Sequence, residues 1–204
     1  MSAGAVITGN VYDKYGSRNA VARRLVGRFV RALDELLAQA DPQSLLDVGC
    51  GEGVLVQRWA RRLDGRRVVG ADLDDPRLRA EWARRGAPNL EYRSLRGERL
   101  PFADGEFDAA SAIEVLEHVP DPERALAEMA RVARRWLLVS APREPLWRAL
   151  NLARGAYVRA LGDTPGHVHH WSRRAFTALT ARHGDIVEAR SPLPWTMLLV
   201  RLRG

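Results

Sequence analysis

Two spacings of hydrophobic residues alternate along this chain. Short, nearly continuous apolar runs are typical of strands buried on both faces, and between these runs apolar residues recur at helical spacing. The pattern predicts strands at residues 44–48, 67–71, 90–93, 107–112 and 136–140, and helices at residues 54–63, 76–85 and 122–133. Strands that alternate with helices in this way predict a parallel sheet covered by helices on both faces.

The segments on either side of this alternating region carry further elements. They are an amphipathic helix at 21–40, which Asp41-Pro42 ends, a helix at 146–161, a loop at 163–170, a helix at 172–183 with Ser172 as its N-cap, and strands at 186–190 and 195–202. Because a short turn joins the last two strands, they should pair antiparallel. We therefore expect one α/β domain over residues 1–204, with a doubly wound, seven-stranded sheet that is mostly parallel and has one antiparallel strand near the C-terminus.

Composition narrows the class of protein. The chain has 204 residues, 46% of them hydrophobic, which is enough for a substantial core, and no apolar run reaches membrane-spanning length. Residues 1–9 contain no cationic segment followed by an apolar core, so we expect no signal peptide. The single cysteine, Cys50, cannot form an internal disulfide. The expected lack of a signal peptide and of an internal disulfide predicts a cytoplasmic protein. The short apolar runs predict that the protein has no membrane span.

The chain is strongly basic, with a formal net charge of +7. Nearly all of the 32 basic residues are arginines, since Lys14 is the only lysine. They are spread along the chain, mostly as pairs on the predicted helices, which favours solvated helix faces over a nucleic-acid site. The spread of the arginines therefore argues against a nucleic-acid partner, although the net charge alone is compatible with one.

Residues 45–53, Leu-Leu-Asp-Val-Gly-Cys-Gly-Glu-Gly, carry the most specific signal for function. Glycine occupies every second position, at Gly49, Gly51 and Gly53, between a predicted strand and a predicted helix. Without side chains, this turn lets a ligand lie against the backbone, and free N–H groups at the helix start favour a negative or polar ligand group. Asp47 can take a cationic amine, so the site suits an amino-acid-like cofactor.

The spacing G-x-G-x-G after Asp47 resembles motif I of the class I S-adenosylmethionine (SAM)-dependent methyltransferases. A nicotinamide-dinucleotide site needs G-x-G-x-x-G, with its third glycine one residue later, so we do not expect one here. The order of elements also matches the Rossmann-like sheet of that family. The resemblance implies SAM as cofactor, with Gly49, Cys50, Gly51 and Gly53 around its methionine part.

Two further segments are candidates for contact with the cofactor. Asp72 ends the second predicted strand about twenty residues after the glycine turn, where an acidic side chain accepts hydrogen bonds from both ribose hydroxyls. Leu73 follows it, and the alternative role for Asp72 is to cap the next turn. Near the N-terminus, Tyr12 and Tyr15 lie on a segment that either folds over the cofactor as a lid or fixes the first helix to the sheet.

Residues 100–108 and 114–122 resemble the subgroup that contains the ubiquinone and menaquinone biosynthesis methyltransferases, also called methyltransferase type 11. In that subgroup an acidic residue shortly before Leu-Pro-Phe often binds the adenine amino group. Arg96 stands where an aspartate is usual. Glu98 or main-chain groups are the alternatives for the adenine contact.

Glu114, Glu117 and His118 follow the fourth predicted strand at the edge where such sheets bind ligands. On a helix, positions i, i+3 and i+4 share one face, so the three side chains should converge. The pattern is similar to the metal-binding set of ubiquinone-pathway O-methyltransferases and of small-RNA 2′-O-methyltransferases. The resemblance implies His167 as a fourth ligand, with His170 next. Either a divalent metal such as Mg²⁺ activates the acceptor hydroxyl, or His118 takes its proton directly.

The sequence predicts methyl transfer from SAM to a small-molecule acceptor, at oxygen. Glu114, His118 and His167 would face the acceptor, and residues 143–172, with Trp147, Tyr157 and Trp171, would form its pocket. A metal-dependent RNA 2′-O-methyltransferase is one alternative, although no basic segment is interleaved with aromatic residues of the kind that stack bases. A non-catalytic SAM-binding protein is the other.

Overall fold

The structure is a computed structural model that describes residues 19–95 and 99–203. The predicted lid residues Tyr12 and Tyr15 lie outside the described residues, as do Arg96 and Glu98 of the predicted adenine contact.

Seven strands form a single sheet in the order β3-β2-β1-β4-β5-β7-β6. The strands are β1 (Ser44–Val48), β2 (Arg67–Leu73), β3 (Leu90–Leu95), β4 (Phe107–Ile113), β5 (Ala133–Pro142), β6 (Gly184–Arg190) and β7 (Trp195–Leu202). Strand β7 runs antiparallel to both of its neighbours, β5 and β6, and the other pairs are parallel. The predicted doubly wound sheet with one antiparallel strand near the C-terminus is confirmed.

The described residues form six α-helices: α1 (Ala20–Ala40), α2 (Val54–Arg62), α3 (Pro76–Trp82), α4 (Pro122–Val132), α5 (Leu146–Ala153) and α6 (Arg173–Thr180). Polar side chains fix several of the helix starts. Asn19, Asp75, Asp121 and Ser172 each accept main-chain N–H bonds at an N-cap, and proline opens α3 and α4. In the part of the chain that the structure describes, no helix combines the length and apolar character needed to cross a bilayer.

Two hydrophobic clusters lie on opposite faces of the sheet. One packs α1, α2 and α3 against it around Phe29, Leu33 and Trp59, and the other packs α4 and α6 around Leu126 and Phe176. Strand β4 is buried along its whole length because helices cover both of its faces. The central strands are therefore held between two helix layers, and the carboxyl ends of the parallel strands meet at one edge of the sheet.

The predicted helix over residues 146–161 is wrong in its second half. Helix α5 ends at Ala153, and the chain then folds back through Gly155, with φ of 72°, to a 3-10 turn at Val158–Ala160. The side chain of Asn151 is the physical reason. Its Nδ2 donates to the Gly162 carbonyl at 2.8 Å, while its own main-chain carbonyl accepts from Ala156 N, so one buried amide closes the loop.

Candidate functional site

A cavity of about 950 Å³ opens at the carboxyl ends of β1, β2 and β4. At one end, which we call the glycine end, it is lined by Asp47, Gly49, Cys50, Gly51, Asp72 and Leu73. At the other, the histidine end, it is lined by Glu114, Glu117, His118, Trp147, Tyr157, Thr164, His167 and Trp195. The structure thus brings nearly all of the predicted site residues to one cavity. Among the described candidates, Gly53, His170 and Trp171 do not line the wall.

Main-chain hydrogen bonds shape the turn at the glycine end. Gly49, Gly51 and Gly53 all have positive φ, at 74°, 54° and 80°. The N–H groups of Gly49 and Cys50 donate to the Ala71 carbonyl at 2.7 and 3.1 Å. Because Ala71 belongs to β2, these bonds hold the turn against the carboxyl end of the neighbouring strand.

The side chains that pack against the turn leave no room for a Cβ atom at Gly49 or Gly53. A Cβ atom on Gly49 would lie 2.4 Å from Val115 Cγ2, and one on Gly53 would lie 2.5 Å from the Tyr92 hydroxyl. Behind the turn, Trp82 stacks on Tyr92 and donates its indole N–H to the Gly51 carbonyl at 2.8 Å. Gly53 therefore serves packing, and residues 49–52 are the part of the turn that lines the cavity. No motif signals Trp82 or Tyr92 in the sequence.

Two buried aspartates flank the glycine turn. Asp47 Oδ1 accepts a hydrogen bond from the Ser111 hydroxyl at 2.7 Å. Asp72 accepts from Gly51 N through Oδ2 and from Leu73 N through Oδ1, each at 2.7 Å. Burial raises the pKa of Asp72, and the two N–H donors oppose that rise. Because each carboxylate oxygen accepts one of these N–H groups, the carboxylate has a fixed orientation and each oxygen keeps a lone pair for a further donor.

Cys50 is a small buried group with little reactivity. Burial, together with the negative charge of Asp47, raises the pKa of the Cys50 thiol well above its ordinary value. The thiol therefore stays protonated near neutral pH and is a poor nucleophile.

Glu114 does not share a helical face with Glu117 and His118. The prediction that one helix brings the three side chains together is therefore wrong. Only Leu116–His118 is helical, as one 3-10 turn, and Glu114 has φ of 57° at the exit from β4. The Glu114 carboxylate accepts a hydrogen bond from the indole N–H of Trp195, a contact that no motif predicts. Glu117 is buried.

His118 has a defined tautomer in its neutral form. Its Nδ1 lies 2.9 Å from the Gly166 carbonyl, and a carbonyl can only accept, so Nδ1 carries the proton. The lone pair of the neutral ring is therefore on Nε2. An imidazole with this arrangement can take a proton from a bound ligand or bind a metal.

His167 lies against His118, with 4.8 Å between the ring centroids. Burial, and secondarily the neighbouring His118, lowers the pKa of His167 to about 4, so its ring is neutral near pH 7. Among the described residues, Glu117, His118 and His167 form a group whose potential ligand atoms all lie within 4.8 Å of one another. Glu114, the remaining predicted ligand, is not part of that group.

The loop over residues 163–170 positions these histidines. Val168 N and His169 N both donate to the Glu117 carbonyl, at 2.8 and 3.2 Å. His170, the second candidate for the site, lies 2.6 Å from Asp163 through Nε2 and does not line the cavity. Trp171 stacks on His169 and does not line the cavity, whereas the other predicted pocket aromatics, Trp147 and Tyr157, do.

The hydroxyl group of Thr164, which lines the cavity, is a hydrogen-bond donor that no motif predicts. Its hydroxyl oxygen accepts from Trp147 Nε1 at 2.9 Å and from Asn151 Nδ2 at 3.1 Å. Because both lone pairs are used, the hydroxyl can only donate to a further group.

The chain has recognisable relatives. The family model described as a methyltransferase domain matches residues 46–136. The ubiquinone biosynthesis O-methyltransferase of Paracidovorax citrulli is 30% identical over 165 residues, which cover 76% of this chain and 68% of that protein. The protein of the same name from Hahella chejuensis is 43% identical over 94 residues, 44% of this chain and 38% of that protein. The chain therefore spans about two thirds of the first relative and well under half of the second.

A solved structure agrees with the fold. The magnesium protoporphyrin IX methyltransferase of Synechocystis, with bound SAH, superposes with a TM-score of 0.65 at 17% identity, over 92% of this chain and 90% of that one. At this identity the likeness concerns the fold alone.

Proposed function

This chain belongs to the class I SAM-dependent methyltransferases, and we propose that it transfers the methyl group of SAM to a hydroxyl oxygen of a small-molecule acceptor. One observation carries the proposal: the glycine turn, Asp72 and His118 line the same cavity, so a cofactor and an acceptor hydroxyl can meet inside it. The O-methyltransferase names of the curated relatives support oxygen as the atom methylated.

The glycine end would bind SAM. Asp47 would accept the ammonium group, and the backbone of Gly49 and Gly51, where no side chain intervenes, would lie against the rest of the methionine part. Asp72, already ordered by two N–H donors, would accept the ribose hydroxyls, with Leu73 beside it. The sulfonium would then face the histidine end.

At the histidine end, His118 would act as the base. SAM, when bound, would supply an electrophilic methyl group to the acceptor oxygen, and the sulfur would keep the electron pair of the broken carbon–sulfur bond and leave as neutral S-adenosylhomocysteine (SAH). The hydroxyl proton passes to His118 Nε2, and the Gly166 carbonyl stabilises the imidazolium that results. His167 would orient the hydroxyl as a neutral hydrogen-bonding group, and the Glu114 carboxylate would add favourable charge.

A divalent cation is the alternative way to activate the hydroxyl. Glu117, His118 and His167 would hold it, and a bound cation lowers the pKa of a coordinated hydroxyl. Two imidazoles and one carboxylate suit Zn²⁺ or Fe²⁺ better than Mg²⁺, which prefers oxygen ligands. Because ligation would occupy His118 Nε2, the metal and the histidine base are mutually exclusive.

The test measures SAH release by the purified protein across a panel of hydroxylated small molecules, with and without a chelator. We expect His118→Gln to lower kcat by about a hundredfold or more while SAH affinity, by calorimetry, stays within about twofold. His183→Gln is the matched control, because His183 lies outside the cavity near Glu123.

The outcomes separate the alternatives. Turnover that survives chelation would exclude activation of the hydroxyl by a metal. Turnover that is lost on chelation and restored by one cation would exclude His118 as the direct base. Full activity in His118→Gln would contradict both roles for this residue. Tight SAH binding without turnover on any acceptor would indicate a non-catalytic SAM-binding protein.

A further inference from the structure

Strand β4 carries a buried hydroxyl group beside the glycine end of the cavity. Ser111 is fully buried, and its Oγ lies 2.7 Å from Asp47 Oδ1. The same Oγ lies 3.4 Å from the main-chain carbonyl oxygen of Leu46. Because a hydroxyl group has a single proton, the shorter distance and the negative charge of a carboxylate assign that proton to the bond with Asp47.

The register of the sheet brings the two side chains together. Asp47 and Ser111 are partners in the parallel pair of β1 and β4, so their side chains point to the same face. The preceding partners on that face, Leu45 and Ala109, belong to the hydrophobic cluster that packs α1, α2 and α3 against the sheet. A hydroxyl group buried in such surroundings costs free energy unless it is hydrogen-bonded, so the bond to Asp47 accounts for a serine at this position.

Ser111 can act on a ligand only through Asp47. Asp47 lines the cavity, whereas Ser111 does not. The last side-chain torsion of an aspartate has a broad distribution, so a hydroxyl bonded to one carboxylate oxygen fixes the plane of the group. A carboxylate that is already oriented loses less conformational freedom when it binds a cation, and its affinity for the cation is correspondingly higher.

We propose that Ser111 is a positioning residue, which orients Asp47 toward the ammonium group of the cofactor's methionine part. This inference rests on the proposed function, because that function assigns the ammonium group to Asp47. Ser111 would then affect the affinity for ligands that carry the amino-acid part and leave the affinity for the nucleoside part unchanged. A serine that only filled space in the core would affect both kinds of ligand equally.

The test compares two ligands by calorimetry on the full chain. SAH carries the amino-acid part, and 5′-methylthioadenosine has the same nucleoside and a thioether sulfur but no ammonium group. We expect Ser111→Ala to lower SAH affinity about tenfold and to change the affinity for 5′-methylthioadenosine by less than about twofold. Asp47→Ala should show the same selectivity with a larger loss. Adding Ser111→Ala to Asp47→Ala should lower SAH affinity no further, because the serine acts through the aspartate.

Two sets of controls separate positioning from packing. Ser44→Ala removes a serine hydroxyl at the other end of β1, where Ser44 Oγ accepts from Asp108 N at 2.9 Å, and both affinities should stay as in wild type. Ser111→Thr and Ser111→Val add similar volume to the core, but only threonine keeps a hydroxyl. SAH affinity should therefore stay within about threefold of wild type in Ser111→Thr and fall about tenfold in Ser111→Val.

The positioning role is overturned if Ser111→Ala binds SAH like wild type, if it loses affinity for both ligands equally, or if its loss adds to that of Asp47→Ala. Wild type that binds 5′-methylthioadenosine as tightly as SAH would refute the ammonium site at Asp47, and the role of Ser111 with it, while the nucleoside site would stand. Wild type that binds neither ligand would contradict the proposed function itself.

Discussion

At the glycine end of the cavity most polar groups are main-chain groups of consecutive residues, whereas at the histidine end they are side chains from distant segments. Residues 47–53 and the end of β2 supply the first set. The second comes from residues 114–118, α5, the loop at 163–170 and Trp195, which is 81 positions from its partner Glu114. A substitution at the glycine end therefore acts on backbone conformation, and one at the histidine end acts on single contacts.

This difference separates two measurable quantities. Changes at the glycine end should alter cofactor affinity, and changes at the histidine end should alter turnover while leaving cofactor affinity intact. The predictions that follow test this separation.

The largest effect is expected for Gly49→Ala. The new Cβ would meet Val115 Cγ2 at 2.4 Å at a φ of 74°. We expect the free energy of unfolding to fall by about 3 kcal/mol, from left-handed backbone and overpacking together. SAH affinity should fall by about a hundredfold, because the backbone of the turn that lines the cavity must move. Urea denaturation and calorimetry measure the two effects.

Two controls isolate the cause. Gly65→Ala has a similar φ of 71° but an open environment, so only the backbone cost of about 1 kcal/mol should remain, without an effect on SAH. Adding Val115→Ala to Gly49→Ala removes the clash and should recover part of the affinity. If Gly65→Ala weakens SAH as strongly as Gly49→Ala does, the turn is not the binding element.

Asp72→Ala should have the next largest effect. It removes the acceptor for Gly51 N and Leu73 N and the charge that we assign to the ribose hydroxyls. We expect SAH affinity to fall at least tenfold, about 1.4 kcal/mol, as measured by calorimetry. Asp75→Ala is the control, because it removes the N-cap of α3 at a cost of about 1 kcal/mol of stability without touching the cavity. Equal losses of affinity in both variants would refute the ribose assignment.

The glycine end could be predicted from sequence because its chemistry is local. A buried strand, glycines at every second position and a helix start specify the turn within ten residues, and Asp72 follows from the end of the next strand. The predicted bounds of β1 and β7 also agree with the structure. Each is a mainly apolar run, and such a run is visible in the local sequence.

The histidine end could be predicted only in part, because its geometry depends on contacts between distant residues. Glu114 and Glu117 have helical spacing in sequence, but the chain leaves β4 with Glu114 N bonded to Ser140, which turns Glu114 out of any helix. The long helix predicted after β5 failed because the Asn151 side chain closes a loop. Thr164 and Trp195 carry no motif, and tertiary packing alone gives them a place in the cavity.

The smallest effect, and the sharpest test of the histidine end, is expected for Trp195→Phe. The ring would still pack on Phe29 and Trp147, but Glu114 would lose the indole N–H that orients its carboxylate. We expect turnover of any accepted hydroxylated substrate to fall about fivefold, the equivalent of one hydrogen bond, with SAH affinity unchanged.

Trp59→Phe is a matched control, because it makes the same volume change in the same hydrophobic cluster, and the Trp59 indole N–H has no hydrogen-bond acceptor among the described residues. Both variants should lose stability through the cavity that is left, by about 1–2 kcal/mol, so stability does not distinguish them. Turnover does: a loss confined to Trp195→Phe supports a positioning role for this residue, and equal losses would reduce the Trp195–Glu114 contact to packing.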